Sequence, residues 1–187
     1  MTEELATPQT EIVDSINEMP NPPEAAIRFA QEKDTPVIVK LIHQKAEFDR
    51  GMSAFTGKLD VTEERVVQTL FCLQPFASVL LAEVGGQAVG FALFYYRYSS
   101  FKGQPSIWLE DLFVFPEHRN RRIGSKLMRR LAGMASHYDC SHIAWNANAN
   151  NRDGIRFYRR LGAEVVDQKG PALTFQVDTS QFEAWGD

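Results

Sequence analysis

The stretch "HRNRRIGSKLMRRL", residues 118–131, sets five arginines and one lysine around a single glycine, Gly124. Just upstream, "SIWLEDLFVF" (residues 106–115) has the composition of a strand, and Pro116 ends it. Downstream, Ile123, Leu127, Leu131 and Met134/Ala135 recur at helical spacing. The order is therefore strand, Pro-terminated turn, glycine, amphipathic helix. At such a helix start the first N–H groups have no intrahelical partner and attract an anion. Gly124 permits close approach, and Arg119, Arg121 and Arg122 surround the same point with cationic donors. One helix start suits a pyrophosphate better than a duplex, which is met by a stripe of charge. "GSK" resembles the end of a P-loop, but the upstream glycine of that motif is absent.

Beyond this cluster the chain is acidic. Its 187 residues carry a net charge of −4, which argues against a general nucleic-acid binder, whose surface needs a basic footprint. A hydrophobic fraction of 44% with 24% charged residues is that of an ordinary globular protein with one core. Cys72 and Cys140 give neither a metal spacing nor a disulfide framework, and both are expected to be buried thiols. The four histidines are scattered, so no metal site is expected. No apolar run approaches the ~18 residues that cross a membrane, and the first twenty residues lack the basic and apolar segments of a signal peptide. A reducing cytoplasm is the expected compartment.

Residues 1–24 are acidic and polar, close on "MPNPPE", and are expected to form a mobile tail; residues 25–187 are expected to form a single domain. "AAIRFA" reads as a short strand, followed by a helix capped by Asp34 with Pro36 in its first turn, running to about Phe48. A second helix starts near Thr62. "SVLLAEV", a "GGQ" turn and "AVGFALFYYRYS" make a hairpin. After the arginine-rich helix come a strand, "SHIAWNANA", a helix, "NRDGIRFYRRL", and two last strands, "AEVVD" and "LTFQVD". The order β-α-α-β-β-β-α-β-α-β-β predicts an α/β domain around a mixed sheet.

With these motifs placed, the sequence resembles the GNAT N-acetyltransferases. Their acetyl-CoA loop, Gln/Arg-x-x-Gly-x-Gly/Ala between the fourth strand and third helix, is similar to residues 119–124, with Arg122 where the first glycine is usual. Their Asn-x-x-Ala/Gly/Ser-x-x-x-Tyr appears as Asn151, Gly154 and Tyr158 in "NRDGIRFYRRLGA". Within the superfamily, "WLEDLFVFPEHRNRRIGSKLM" looks most like the diamine and thialysine acetyltransferases. The resemblance implies a mixed, mostly antiparallel sheet flanked by helices. It also implies a homodimer, acetyl-CoA as cosubstrate without a metal, and direct transfer of acetyl to a small cationic amine, a polyamine or lysine analogue.

It implies roles for residues as well. Backbone N–H groups of Leu112, Phe113 and Val114 would bind the pantetheine and carbonyl. Those of Asn120, Arg121, Arg122, Ile123, Gly124 and Ser125 would bind the pyrophosphate, with Arg119, Asn151, Asp153 and Gly154 as further cofactor contacts. Tyr158 would protonate the leaving thiolate, since a phenol with a reference pKa of about 10 holds its proton at neutral pH. As an unaided residue Tyr158 is equally a packed helix tyrosine, and Asn151 a helix cap. Glu110 would attract the substrate ammonium and accept its proton, with Phe48, Asp49, Trp145 and Asn146 on the substrate side. From the strand itself, alternation sends Glu110 and Asp111 to opposite faces and sets Glu110 among Trp108, Leu109 and Phe113, where a structural ion pair is the plainer role. The alternatives to an amine acetyltransferase are a catalytically weak acyl-CoA-binding regulatory module, a protein N-acetyltransferase, and a nucleic-acid binder built on the basic helix.

Overall fold

Gly85 and Gly86 both lie at positive φ, 58° and 81°, as a two-residue turn between twisted strands requires. They fold β2 (Ser78–Val84) back onto β3 (Gln87–Ser99). The computed structural model describes residues 24–185, and the strands within it make one seven-stranded sheet. Its order is β1-β2-β3-β4-β5-β7-β6, with β1 at Ala26–Phe29, β4 at Gln104–Val114, β5 at His142–Asn148, β6 at Glu164–Lys169 and β7 at Ala172–Asp178. Every neighbouring pair is antiparallel except β4 and β5. Helices α1 (Thr35–Gly51) and α2 (Glu63–Leu70) cover one face; α3 (Ile123–His137) and α4 (Arg152–Arg160) cover the other. The sheet is mixed and mostly antiparallel, as expected. The expected N-terminal tail lies outside the described residues, apart from Glu24, which is ion-paired with Lys126.

Each face buries its own core. Leu127, Met128, Leu131 and Ala135 recur along α3 and pack on Leu80, Phe94, Ile107 and Ile143. On the other side Ile38 and Leu41 of α1 and Val66 of α2 meet Leu81, Phe91 and Phe113. Thr62 caps α2, its hydroxyl accepting from the Arg65 N–H at 3.2 Å.

Two expectations fail locally. Asp34 precedes α1, but its carboxylate does not cap that helix: it accepts from Arg28 at 2.6 and 3.0 Å and from the Gln31 N–H at 2.8 Å. The same guanidinium donates to Glu83 at 2.6 Å, joining β1 to β2 and to the turn before α1. A long-range cation has outbid the local cap. Cys140 is buried as expected, but Cys72 is half-exposed, with its thiol against the Gln74 carbonyl.

The bond to Arg28 holds the Asp34 carboxyl below its ordinary range, and the partial burial opposing it is weaker. A depressed folded-state pKa adds stability that is present above the unfolded value, about 4, and is lost as pH falls through the folded one. Asp34→Asn is therefore expected to cost about 1–3 kcal/mol near neutrality, by weakening the charged hydrogen bonds that the half-buried Arg28 guanidinium donates to it. The gap from wild type should narrow in acid. Melting curves from pH 7 down to about 2 check this; a gap of constant size would remove the ion pair as its cause.

Candidate active site

Strands β4 and β5 run side by side for only three residue pairs, Ile107–Leu109 against Ile143–Trp145. Beyond them β4 stays with β3 up to Val114, while β5 follows β7 to Asn148. From Glu110 onward the two strands part, and the edge of β4 that faced β5 has no strand partner. An extended ligand can pair with such an edge as an added strand would.

The parting coincides with a bulge. Leu93 stands opposite Asp111 and Phe94 opposite Leu109, so Glu110 is an extra residue in β4. A bulge interrupts the two-residue alternation and re-aims the side chains after it. Before it Ile107 and Leu109 face the α3 core; after it Leu112 and Val114 face that core, and Phe113 turns toward α1. The expected placement of Glu110 and Asp111 by simple alternation is therefore corrected. So are the surroundings of Glu110. It is exposed rather than sunk among apolar side chains, and its carboxylate accepts from the Trp108 indole N–H at 2.9 Å.

A cavity of about 300 Å³ opens where the strands separate. Phe48, Asp49, Glu110, Leu112, Trp145, Asn146, Asn151 and Tyr158 all contribute to its wall, so one space gathers residues from α1, β4, β5 and α4. A wider hollow of about 490 Å³ between Lys58 and Gln68 is open to solvent, and no fully buried side chain lines it. The smaller cavity is the one with converging chemistry.

Tyr158 is buried in an aromatic cluster, its ring 4.9 Å from that of Trp145 and 5.4 Å from those of Phe157 and Phe175. Burial pushes the phenol's pKa up, and the charges of Asp111 and Asp49 push it further. It keeps its proton throughout the physiological range. Trp145 is itself a core residue, 1% exposed and stacked on Phe175, so the cavity meets only a small part of it. Asn146 is exposed, and its side-chain oxygen accepts from Thr174 at 2.8 Å.

In the turn between β4 and α3, Asn120 and Arg122 adopt left-handed conformations, φ 61° and 59°. Asn tolerates this geometry; Arg at this point costs about 1–2 kcal/mol relative to glycine. The strain starts α3, since the Arg122 carbonyl accepts from Lys126 N–H at 3.0 Å. The N–H groups of Ile123, Gly124 and Ser125 then belong to the first helical turn, which has no intrahelical acceptor for them. A β-carbon on Gly124 would lie 3.3 Å from the Phe157 ring, so glycine lets the start of α3 sit against α4. Asn151 caps α4, its side-chain oxygen accepting from the Gly154 N–H at 2.9 Å.

Two expected cofactor residues are otherwise engaged. Arg119 donates from Nε to the Val114 carbonyl at 3.0 Å and lies over the Phe48 ring at 4.6 Å. It ties the turn to α1 and β4, while Arg121 and Arg122 stay exposed. Asp153 is exposed, ion-paired with Arg156, and forms no part of the cavity wall.

Sequence reasoning missed Lys45 and underrated Asp111. Lys45, one turn before Asp49 on α1, bridges the Asp49 carboxylate and that of Asp111, the latter at 3.2 Å. Burial lifts the Asp111 carboxyl above its usual range, and Lys45 offsets this only in part. Desolvation works against the Lys45 ammonium, but the two carboxylates outweigh it and its pKa is raised. The i,i+4 spacing of Lys45 and Asp49 was visible in the sequence; their meeting with β4 was not.

The family model described as the acetyltransferase (GNAT) family matches residues 46–163, which run from α1 through the parted strands and the α3 start to α4. The chain belongs to the GNAT acetyltransferase family. It is accordingly an N-acetyltransferase that uses acetyl-CoA. The unpartnered strand edge, the unpartnered N–H groups at α3 and the cavity beside that edge fit that cosubstrate. Among curated proteins the chain is similar to the thialysine N-epsilon-acetyltransferases of Bos taurus and Mus musculus. The bovine protein is 33% identical over 76% of this chain and 85% of its own; the mouse protein is 29% identical over 81% and 91%. Among solved structures a Thermoplasma acidophilum N-acetyltransferase in complex with coenzyme A shares the fold. Its TM-score is 0.67 at 14% identity, covering 83% of this chain and 99% of that one. Among the described residues, no group of three or more His, Cys, Asp or Glu could hold a metal, and no helix is long and apolar enough to cross a membrane.

Proposed function

We propose that this GNAT enzyme acetylates the primary amine of a small cationic molecule, a polyamine or a lysine analogue. The observation that carries this reading is the single cavity at the parting of β4 and β5, with Glu110 and Asp49 on its wall together with the buried phenol of Tyr158. The similarity to enzymes named for thialysine supports a lysine analogue.

In the reaction the backbone N–H groups of Leu112 and Val114, which face the open edge while that of Phe113 faces β3, hold the pantetheine arm and polarise the thioester carbonyl. Those of residues 120–125 hold the pyrophosphate. The Glu110 carboxylate attracts the ammonium and takes its proton. Exposed as it is, it passes that proton to water. The freed amine attacks the carbonyl carbon, the carbon–sulfur bond breaks, the departing thiolate takes the Tyr158 proton, and the second proton shed by the attacking nitrogen restores the phenol. Phe48, Trp145 and Asn146 shape the amine's side of the cavity. β6 closes the sheet as an edge strand with Val165 and Val166 exposed, which suits the homodimer inferred from the likeness to the diamine enzymes; light scattering checks it.

Release of free CoA, measured against a panel of polyamines, lysine analogues and small neutral amines, tests the function. A chain that binds acetyl-CoA but turns over none of them would be an acyl-CoA-binding module instead. Within the panel, Glu110→Gln is expected to lower kcat/KM for cationic amines about tenfold, ~1.4 kcal/mol. That lies between the bulk-water and protein-surface values for a charge pair at ~4 Å. Its pH–rate profile should move to higher pH, because the amine must shed its proton unaided. The fold should survive, since the side chain is exposed. An unchanged kcat/KM and profile would leave the carboxylate as a partner of Trp108 only.

A further inference from the structure

Two carboxylates, Asp49 and Glu110, line the amine's side of the cavity, and a third, Asp111, lies behind Lys45; they are not equivalent. Asp49 and Asp111 share one cation, the ammonium of Lys45. Among the described residues Glu110 has no cationic partner; its hydrogen bond is to the neutral Trp108 indole. Lys45 is itself part of the cavity wall, and its side chain is only 22% exposed. The chain thus places one of its own primary ammonium groups where a second positive charge on a substrate would go.

A half-buried ion triad is a weak device for stability alone, because desolvating three charges offsets most of their attraction. Its effect on recognition is larger. A diamine that brings one nitrogen to Glu110 must find an acceptor for its other ammonium. The nearby candidates, Asp49 and Asp111, are already satisfied, and Lys45 repels a second cation in a site of reduced dielectric. An amine with one net positive charge meets no such penalty. This covers simple monoamines, and lysine analogues whose second ammonium carries its own carboxylate.

We propose that Lys45 is a specificity-determining residue, a tethered counter-ion that fills the second-cation position and sets the enzyme for amines of single net charge over diamines and polyamines. The inference rests on the amine-acetyltransferase reading above and narrows its substrate class.

Lys45→Met removes the charge and keeps the length, and Lys45→Arg keeps the charge. The experiment compares butane-1,4-diamine with butan-1-amine in wild type and both variants. Its two readouts are kcat/KM by CoA release and the affinity of each amine by calorimetry. In Lys45→Met the diamine-to-monoamine ratio of kcat/KM is expected to rise at least about tenfold, and diamine affinity by a similar factor. Lys45→Arg should keep the wild-type ratio. Because both amines are compared within one protein, a general loss of activity cancels. Should Lys45→Met fold poorly through its orphaned Asp111, the double variant Lys45→Met/Asp111→Asn keeps Asp49 free and should shift the ratio in the same direction. A ratio and affinity unchanged in a folded variant that merely melts earlier would make Lys45 a strut between α1 and β4 and overturn the proposal. If wild type turns over neither these two amines nor any of the panel above while the affinity shift appears, the proposed substrate class fails and the charge assignment stands.

Discussion

Tyr158→Phe is expected to lower kcat by about 10²–10⁴-fold, the range for a positioned general acid, and to leave acetyl-CoA affinity near that of wild type. The substitution removes one oxygen from a ring held against Trp145, Phe157 and Phe175, and those three contacts survive it. Folding is therefore a poor explanation for the loss. What disappears is a proton donor inside a cavity where the leaving thiolate would otherwise depart charged. The environment keeps that proton available: burial raises the phenol's pKa, and Asp111 and Asp49 raise it further. Raising the pKa of a neutral acid extends its protonated range upward. The wild-type rate should therefore show no alkaline limb near the ordinary tyrosine value of about 10. Single-turnover measurements isolate the acyl-transfer step from product release. A single-turnover rate unchanged in Tyr158→Phe would leave the residue as aromatic packing only.

The architecture was legible because it rests on local signals. Alternating apolar residues, the Gly85-Gly86 turn, the Thr62 cap and the helical spacing behind Ile123 each act over a few positions, and each appears where its period placed it. The motif residues Asn151, Gly124 and Tyr158 were legible for the same reason: a cap, a helix start and a helix face are short-range features. The electrostatics of the cavity were not. Whether β4 keeps its alternation past Leu109 depends on its register with β3, and a single extra residue there moves Asp111 and Phe113 to the α1 side. Lys45 then meets Asp111 only because α1 packs on that face. The sequence offers Arg119 as a cationic donor; its contacts with two aromatic rings and the Val114 carbonyl are brought about by the fold and leave no local signal. Pattern reading reaches the local elements; the charge pairing needs three-dimensional neighbours.

Gly124→Glu is expected to weaken acetyl-CoA binding at least about 100-fold, ~2.7 kcal/mol. The residue lies in the first turn of α3, whose N–H groups lack intrahelical acceptors and are proposed to meet the pyrophosphate. A carboxylate there meets the ligand's negative charge at short range and fills the space the phosphates need. Unfolding is again a poor explanation, on electrostatic grounds: an acidic side chain in a first turn complements the helix dipole and favours the helix. The steric part can be separated. A β-carbon at this position would approach the Phe157 ring to 3.3 Å, close enough that the ring must give by a few tenths of an ångström. Gly124→Ala carries that cost without the charge. If the anion site is at this turn, the alanine variant should bind acetyl-CoA far better than the glutamate variant, and raising salt should narrow the difference by screening the repulsion. Calorimetric titration of both variants at low and high salt distinguishes the outcomes. Equal losses in the two would point to helix packing rather than phosphate recognition. Unchanged affinity in a folded Gly124→Glu protein would move the cosubstrate away from the α3 start altogether.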